Sequence, residues 1–390
     1  MQNKIFNNTE IAFKNKSFLD LLRAYLIFKI ISFPVLVTIG KYVLLLLLKA
    51  KFPIKFLIKI SIFKQFCGGE NEDECKKTID NLRSSDIYSI LDYSVEGLVS
   101  NKSFDNTVLR TLNLIKLNTS NNFPFIVFKP TAIGEFKLYE KVSLNKKLSN
   151  KEAIEWGSVI NRFNLICESA LKNNVSVLID AEESWIQASV DEIFENLIVK
   201  YNSERTTVYN TVQAYRVDRL NYIKYLQNKF ESKKVSIGIK LVRGAYMEKE
   251  RERSYKLNYA SPIHNSKNET DVCFNDCMNY MFEHINLFSI FIGTHNEESN
   301  ALAIKNIKNH NVNINDGKVW FSQLYGMSDN ISYNLSFNGY RVAKYLPFGP
   351  VKDVIPYLLR RADENTSIEG QTSRELLLFK KELKRRKSLL

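Results

Sequence analysis

The 390-residue sequence predicts an α/β fold, a closed (β/α)8 barrel of the TIM type with an N-terminal helical extension. From about residue 85, short apolar, β-branched runs alternate with longer segments of helical periodicity, which is typical of a parallel sheet with helical crossovers. Eight such runs occur, the strand number of a closed barrel. The doubly wound alternative lacks its usual signature, because neither G-x-G-x-x-G nor G-x-x-x-x-G-K-[ST] occurs.

Two strongly apolar segments, 31–48 and 52–63, precede the eight runs. Pro34 and Lys41 interrupt the first, and its longest clean run, Val43–Leu48, falls short of the about 20 apolar residues that span a membrane. We therefore expect residues 1–84 to form a helical region packed on the barrel. Because lysines are interspersed among leucines and isoleucines in these segments, an interfacial membrane helix is the alternative interpretation. These are Lys41, Lys49, Lys51, Lys55 and Lys59.

The eight runs place the barrel domain at residues 85–375, followed by a basic C-terminal tail at 376–390. The runs are YSILDYSVE (88–96), FIVFKPTAIG (125–134), VSVLIDAEES (175–184), VYNTVQAY (208–215), IGIKLVRGAY (237–246), FSIFIGTHN (288–296), KVWFSQLYGM (318–327) and YRVAKYLPFG (340–349). The segments between them have helical periodicity, and one opens with a capping box formed by Ser149 and Glu152. The residues predicted on one face of this helix are Trp156, Ile160, Phe163, Cys167 and Leu171.

Most of these runs begin apolar and end with polar or amphipathic side chains. The residues at the ends are Lys129, Asp180, Glu182, Gln213, Lys240, Arg243, Thr294, His295, Asn296, Gln323 and Tyr345. Strand carboxyl ends meet at the mouth of such a barrel, where these folds carry their chemistry. We therefore expect the functional site there.

Composition and motifs exclude several classes of function. The net charge of +13 favours acidic partners, but no nucleic-acid module is recognisable, so we expect no nucleic-acid partner. The five cysteines are an odd and sparse set with no disulfide framework, which indicates a reducing compartment. For Cys273 and Cys277, the default interpretation is that they are small buried apolar side chains. No nucleophile elbow occurs, and His295 is the single strand-end histidine, so we expect no metal centre.

Two adjacent arginines, Arg360 and Arg361, lie in the segment PYLLRRADENTS (356–367). By residue type alone they are either a solvated helix face or a pair that binds one anion. A guanidinium pair with strand-end lysines suits a carboxylate or a phosphate. Such a set supplies little acid–base chemistry, so a cofactor would have to carry the reaction.

An ordered set of motifs resembles the proline dehydrogenase family. The motifs are KPTAIG (129–134), LIDAEES (178–184), TVQAYR (211–216), KLVRGAY (240–246), GTHN (293–296), QLYGM (323–327) and YLPFGP…YLLRRADEN (345–365). The resemblance implies a modified (β/α)8 barrel that binds FAD and oxidises L-proline to 1-pyrroline-5-carboxylate by hydride transfer to flavin N5. It further implies that electrons pass to a membrane quinone, in the first step of proline catabolism to glutamate.

The resemblance also assigns roles to individual residues. The substrate carboxylate would be bound by Lys129, Arg360 and Arg361, with Asp180 as an ionised electrostatic anchor for these cations. The substrate ring would be enclosed by Tyr345, Leu324 and Tyr357. The catalytic set would thus be Lys129, Asp180, Tyr345, Arg360 and Arg361. The FAD would be lined by Gln213, Lys240, Val242, Gly244, Thr294, His295 and Asn296.

This sequence departs from the pattern of some family members at two positions. Lys240 stands where some have arginine, and Met247 where some have tryptophan, so that second flavin contact is not carried over. A cation at position 240 would still stabilise negative charge on a reduced flavin.

Three alternatives stay open. A 4-hydroxyproline dehydrogenase is the nearest, although Tyr345 favours proline because a smaller residue there would admit the hydroxyl. The others are a cofactor-free barrel that binds an anionic small molecule, and a peripheral membrane protein acting through residues 20–65. The resemblance implies weak peripheral contact with the inner membrane, from the cytoplasm in a bacterial interpretation or from the mitochondrial matrix in a eukaryotic one. A separate pyrroline-5-carboxylate dehydrogenase would take the product.

Overall fold

Eight β-strands occur in the residues that the computed structural model describes, which are 2–50, 54–93, 100–117, 123–367 and 371–389. The strands are β1 Ile87–Tyr93, β2 Phe125–Phe128, β3 Ser176–Ile179, β4 Val208–Gln213, β5 Ile237–Val242, β6 Phe288–Gly293, β7 Val319–Leu324 and β8 Val342–Phe348. Each coincides with one of the eight predicted runs. The last residues of the first run, 94–96, and Lys51 lie outside the described part.

The strands form one sheet in the order β1-β8-β7-β6-β5-β4-β3-β2. β1 pairs with β8, and β2 to β6 pair in succession, all in parallel. Ile87 lies beside Val342 in β1 and β8, and Thr211 beside Lys240 in β4 and β5. This order, with β1 beside β8 and the other strands in succession, confirms the predicted (β/α)8 barrel class. The strands are shorter than the predicted runs, so Lys129 and Asp180 directly follow their strands.

Helices connect consecutive strands and make up both chain ends. They are α1 Thr9–Ala12, α2 Phe18–Ile31, α3 Pro34–Lys49, α4 Lys55–Ile58, α5 Lys64–Phe66, α6 Glu72–Arg83, α7 Asn101–Lys116, α8 Phe136–Ser143, α9 Asn150–Lys172, α10 Ser184–Tyr201, α11 Arg219–Phe230, α12 Met247–Lys256, α13 Lys267–Glu283, α14 Glu297–Asn309, α15 Asp329–Phe337, α16 Ile355–Ser367 and α17 Gln371–Lys387. The predicted capping box opens α9, where Ser149 Oγ accepts from the backbone N–H of Glu152.

Two compact units make up the chain: Gly97–Phe321, and Met1–Glu96 together with Ser322–Leu390. The unit Gly97–Phe321, named the central unit here, contains β2 to β6. Its core includes the ring of Phe125, whose centroid lies 5.5 Å from that of Tyr209 and 5.0 Å from that of Phe291. These three side chains come from alternate strands, the arrangement that fills the interior of such barrels in layers.

The other unit, named the terminal unit, joins the two chain ends in one hydrophobic core. The ring of Phe379 in α17 lies 5.0 Å from that of Phe13 and 5.5 Å from that of Phe28 in α2. Tyr357 and Leu358 of α16 are buried in the same cluster. The position of α16 is therefore fixed on one side by apolar packing against the N-terminal helices.

The residues predicted as a basic tail, 376–390, largely belong to α17. Leu378 and Phe379 are each 1% exposed, so this end of the chain is anchored by burial. Some of its charges are paired as well, because Arg385 and Arg386 both donate to Glu382. The buried side chains of Leu378 and Phe379 therefore hold this helical segment in the hydrophobic core of the terminal unit.

Candidate active site

In the central unit, Lys240 and Asp180 join the ends of two strands. The Nζ of Lys240 donates to Oδ1 of Asp180 at 2.5 Å. The side chains are 8% and 19% exposed, so the pair is largely withdrawn from water. Both were predicted as strand-end site residues, and the structure brings them together. The pair places a charge-compensated ammonium at the carboxyl end of the sheet.

Glu182 is a buried carboxyl group near the same strand ends. Its oxygens accept from the backbone N–H of Thr131 at 3.0 Å and from the Thr131 hydroxyl at 2.7 Å. Burial raises the pKa of Glu182 to about 7, against these two hydrogen bonds and the charge of Lys129, which favour the anion. The sequence marked Glu182 as a strand-end acid but gave it no role. Its buried proton makes it a titrating group near neutral pH.

Gln213, the last residue of β4, is held by the loop after β3. Its amide nitrogen donates to the carbonyl of Glu182 at 2.7 Å, and the residue is 3% exposed. An amide fixed in this way has a defined orientation for hydrogen bonding. The predicted cofactor-binding role of Gln213 therefore has a buried and oriented side chain to support it.

Arg243 links the loop after β5 to that after β6 and to α13. Its guanidinium donates to Asp271 at 2.6 Å, to the Thr294 hydroxyl at 2.6 Å and to the Ser299 hydroxyl at 3.0 Å. It also lies over the ring of Phe274, 4.5 Å from the centroid. This guanidinium is committed to holding Thr294, so it acts as a positioning group.

The segment Thr294–His295–Asn296 connects β6 to α14. Asn296 caps the helix, since its Oδ1 accepts from the N–H of Ser299 at 2.9 Å. Thr294 is buried, and its carbonyl accepts from the amide of Asn300 at 3.2 Å. These contacts fix the backbone on both sides of His295. The three residues predicted to line a cofactor are therefore on a constrained turn at a helix N-terminus.

Gly244 follows Val242 and Arg243 at the end of β5 and requires glycine. Its φ is +129°, a conformation that side-chain-bearing residues rarely adopt. A Cβ there would lie 2.5 Å from the ring of Tyr215. The backbone at this position therefore approaches Tyr215 more closely than any other residue type allows.

In the terminal unit, Tyr345 lies in β8 and Leu324 ends β7. The carbonyl of Tyr345 accepts from the N–H of Tyr325 at 2.8 Å, which fixes the register of this segment. Tyr345 is 7% exposed, and Leu324 is partly buried against the hydrophobic cluster of this unit. Both residues are held by packing.

The two arginines of α16 lie at the border of a buried face. Ile355, Leu358 and Ala362 are buried, whereas Arg360 and Arg361 are partly exposed. The Cζ of Arg361 lies 5.3 Å from the ring centroid of Tyr357, which is 5% exposed. The stacked guanidinium is held by the aromatic ring. This supports an ordered Arg361 over a fully solvated one.

A buried ionic network in the terminal unit was not predicted. Lys344 of β8 is fully buried, and its Nζ donates to Asp329 at 2.7 Å and to the carbonyl of Met327 at 2.8 Å. Lys16 is 3.2 Å from the same carboxylate. Glu375 accepts from the N–H of Ser328 at 2.5 Å, and burial raises its pKa to about 7. This network ties both chain ends to the loop after β7.

The sulfurs of Cys273 and Cys277 lie 4.0 Å apart on α13. The hydrogen bond with Cys277, aided by His264, lowers the pKa of Cys273 to about 6. All five cysteines are free and buried. Across the described residues, no cluster of three or more His, Cys, Asp and Glu side chains has the arrangement to hold a metal ion.

Comparison with known proteins gives a consistent result. A family model described as proline dehydrogenase matches residues 75–374. The chain is 34% identical over 322 residues to the carbapenem antibiotics biosynthesis protein CarD of Pectobacterium carotovorum subsp. carotovorum, covering 82% of this chain and 83% of that protein. It is 33% identical over 379 residues to the mitochondrial proline dehydrogenase 1 of Dictyostelium discoideum, covering 86% and 66%. A hydroxyproline dehydrogenase of Xenopus laevis is 29% identical over 412 residues, covering 96% and 88%.

Among solved structures, proline utilization A (PutA) from Bdellovibrio bacteriovorus, inactivated by N-propargylglycine, matches with a TM-score of 0.71. The identity is 21%, over 79% of this chain and 33% of that one. The chain thus spans about a third of the length of this structure. The likeness confirms the fold class.

Proposed function

We propose, on the premise that this chain belongs to the proline dehydrogenase family of enzymes, that it oxidises L-proline to 1-pyrroline-5-carboxylate. The observation that carries the proposal is the buried Lys240–Asp180 pair at the strand ends of the central unit, within the residues that match the family. The ammonium of Lys240, paired with a carboxylate and largely withdrawn from water, is suited to stabilise negative charge that develops during a hydride transfer. The proposal assigns catalysis to residues 85–375, with 1–84 and 376–390 as extensions.

The residues of the central unit fit a flavin. Gln213 offers a buried, oriented amide, Lys240 an ammonium with three N–H donors, and Thr294 a buried hydroxyl. Such donors suit the nitrogen- and oxygen-bearing edge of an isoalloxazine. The residues that would hold FAD are Gln213, Lys240, Val242, Gly244, Thr294, His295 and Asn296. When bound, FAD supplies the hydride-accepting chemistry that no side chain of this set can provide.

The substrate would be bound by its carboxylate. Arg360 and Arg361 can form parallel hydrogen bonds to a carboxylate, which fix both its position and its orientation. We also propose a cationic role for Lys129 and an electrostatic role for Asp180, which in the structure pairs with Lys240. Orientation matters because hydride transfer requires the reacting carbon at near-contact distance.

The remaining groups would shape the substrate site. Tyr345, Leu324 and Tyr357 would enclose the apolar ring, and their packed positions in the terminal unit support that role. Proline would lose a hydride from a ring carbon and a proton from its amine. We assign that proton to solvent, without a dedicated side chain as base.

The electron acceptor in this proposal is a membrane quinone, which requires peripheral contact with a bilayer. A relative named mitochondrial supports a mitochondrial location if this chain is eukaryotic, for which we propose the matrix side of the inner membrane. A bacterial chain would bind the cytoplasmic side of the inner membrane. A separate pyrroline-5-carboxylate dehydrogenase would then complete the conversion to glutamate.

A 4-hydroxyproline dehydrogenase is the second candidate, favoured by the likeness to the Xenopus laevis enzyme of that name. The bulk of Tyr345 supports proline instead, because the extra hydroxyl of hydroxyproline needs space beside the ring. A cofactor-free barrel that binds an anionic molecule is the third and receives no support from the family match.

Product analysis tests the proposal. Purified protein is incubated with FAD, a water-soluble electron acceptor and either L-proline or 4-hydroxy-L-proline. The expected result is conversion of L-proline to a product that lacks two hydrogens, detected by mass spectrometry, in strict dependence on FAD. Faster conversion of hydroxyproline would select the second candidate, and conversion of neither would overturn the proposal.

A further inference from the structure

Exposed apolar side chains are concentrated near the N-terminus. Of the 30 large apolar side chains that are exposed among the described residues, 14 lie between Leu19 and Ile60. This stretch is about a tenth of the chain, so the concentration is far above an even distribution. A concentration of exposed apolar side chains of this kind marks an interaction site.

Helix α2 is apolar on two opposite faces. Leu21, Ala24 and Phe28 are buried, and Phe28 packs on Phe379 in the core of the terminal unit. The outer face carries Leu22, Leu26 and Ile30, which are exposed. A helix with one face on the core normally presents polar groups on the other. The outer face of α2 therefore has the apolar composition of a surface that contacts another molecule.

Helix α3 is apolar almost all round, with the sequence PVLVTIGKYVLLLLLK. Val35, Leu36, Ile39, Tyr42 and Val43 are between 49% and 72% exposed. A helix that is apolar on every side is stable in a protein core or in lipid. Its 16 residues span about 24 Å, which is short of the about 30 Å hydrocarbon core of a bilayer.

Geometry also argues against a straight crossing. Within the described residues, none of the helices taken alone has the length and apolar composition of a membrane span. Phe18–Ile31 and Pro34–Leu44 satisfy both requirements as a pair, but the pair is bent by 98°. A bent apolar pair anchored on one face by the protein core fits a position within one leaflet.

The charge of this segment points to the chemistry of the partner. Residues 17–66 contain eight lysines and arginines and a single acid, Asp20. Asp20 is already paired with Arg23 at 2.8 Å and lies 3.8 Å from Lys64. Outside the segment, Glu70 compensates Lys55 and Lys59. Lys29 is exposed between Leu26 and Ile30 on the outer face of α2. Basic residues on an apolar helix surface favour anionic lipid.

We propose that the outer face of α2, helix α3 and helix α4 form a docking surface for an anionic phospholipid bilayer. This surface, the outer apolar face, lies in the plane of the lipid headgroups and inserts its leucines and isoleucines into one leaflet. The inference deepens the membrane contact of the proposed function, which would use it to reach a lipid-soluble acceptor. Lipid binding itself depends on no flavin and no substrate.

Vesicle sedimentation of the full chain tests this surface. The probe is a vesicle of phosphatidylcholine with about 30% phosphatidylglycerol, compared with pure phosphatidylcholine. The variant Val35→Glu/Ile39→Glu/Val43→Glu places three carboxylates on one stripe of α3. A matched control, Ile154→Glu/Leu165→Glu/Val199→Glu, changes three exposed apolar residues on α9 and α10.

The wild type and the control variant should sediment with anionic vesicles. The α3 variant should lose about tenfold or more of its partition coefficient, and about 0.5 M salt should weaken wild-type binding. Wild type that stays in the supernatant, or an α3 variant that binds like wild type, would overturn the inference. So would a lipid-free dimer that the α3 substitutions dissociate without any vesicle binding, because a second copy would then cover this face.

Two readouts separate this inference from the proposed function. Circular dichroism verifies that the α3 variant is folded, and its turnover of L-proline with a water-soluble acceptor should equal that of wild type. If vesicle binding fails while L-proline is oxidised, the docking surface alone is wrong. If vesicle binding is as expected while L-proline is not oxidised, the proposed activity is wrong and the docking surface stands.

Discussion

The ammonium of Lys240 and the carboxylate of Asp180 meet at 2.5 Å, joining the ends of β5 and β3 in a largely buried pair. Removal of one charge leaves the other buried with less electrostatic compensation. We expect Asp180→Asn to lower the free energy of unfolding of the apoprotein by about 3 kcal/mol. Chemical denaturation measures this change.

The double variant Asp180→Asn/Lys240→Met tests the same pair. It should recover most of the loss, because the buried ammonium is then removed together with the carboxylate. The exposed pair of Glu168 and Lys172 provides the control, since Glu168→Gln should leave the unfolding free energy unchanged. A double variant as unstable as Asp180→Asn would contradict the account of this pair.

Arg361 should affect substrate binding and leave the flavin in place. Loss of a charge-assisted contact to the carboxylate predicts that Arg361→Met raises the KM for proline about a hundredfold. Flavin content per protein should equal that of wild type, and Arg361→Lys should be intermediate because an ammonium lacks the forked geometry. Lys352→Met, an exposed substitution just before α16, is the control. Unchanged proline kinetics in Arg361→Met would remove this arginine from the substrate site.

Tyr345 should set the preference between proline and hydroxyproline. Tyr345→Ser opens space in a buried position and should raise the ratio of kcat/KM for hydroxyproline to that for proline about tenfold. Steady-state kinetics with both substrates measure the ratio. Tyr340→Ser, which removes a tyrosine just before β8, should leave it unchanged. A ratio unaffected by Tyr345→Ser would show that another residue limits the size of the substrate.

Glu182 should make stability depend on pH between 4.5 and about 7. Burial raises its pKa in the folded state from 4.5 to about 7, so the folded protein binds its proton more tightly than the unfolded chain does. The stabilisation is fully present below pH 4.5 and is lost as pH rises through about 7, a change of about 3 kcal/mol.

The difference between wild type and Glu182→Gln isolates this effect from other titrations. Denaturation of both apoproteins across the interval should show the wild type losing stability relative to the variant as pH rises. Glu375 has a pKa raised to about 7 by burial, so Glu375→Gln should show a second difference of the same sign. Parallel stability curves for wild type and Glu182→Gln would mean that Glu182 keeps its ordinary pKa.

Gly244 should not tolerate a side chain. Because its φ is +129° and a Cβ would meet the ring of Tyr215, Gly244→Ala should cost about 3 kcal/mol of stability and lower flavin content. Gly157 lies in α9 with nothing within 4 Å of its Cβ position, so Gly157→Ala should gain about 0.5 to 1 kcal/mol. Equal effects at the two positions would contradict this explanation.

The eight strands were predictable because each is a local apolar run of β-branched residues with polar residues at its end. The buried faces of the helices were less predictable from the sequence. On α9 the sequence predicted a stripe of Trp156, Ile160, Phe163, Cys167 and Leu171, whereas Trp156, Ile160 and Leu171 are only partly buried. Val159, Ile166 and Ala170 are buried beside Phe163 and Cys167. The buried face of a helix depends on the neighbours it packs against, which local periodicity specifies only approximately.

Partners distant in sequence were beyond prediction. The buried network of the terminal unit joins Lys16 to Asp329 and Lys344, and no local pattern links residues over 300 positions apart. The motifs singled out Asp180 and Lys240 as strand-end residues but gave no sign that they pair. The resemblance assigned Asp180 to the anchor of the substrate-binding cations and Lys240 to the cofactor site.

The absorbance spectrum of the FAD-loaded protein, recorded without oxygen before and after L-proline is added, tests the central claim most directly. The account predicts a yellow protein whose flavin band is bleached by L-proline, and an Arg361→Met variant that needs far more proline for the same bleaching. A protein that stays colourless with added FAD, or a flavin band that L-proline leaves unchanged, would contradict it.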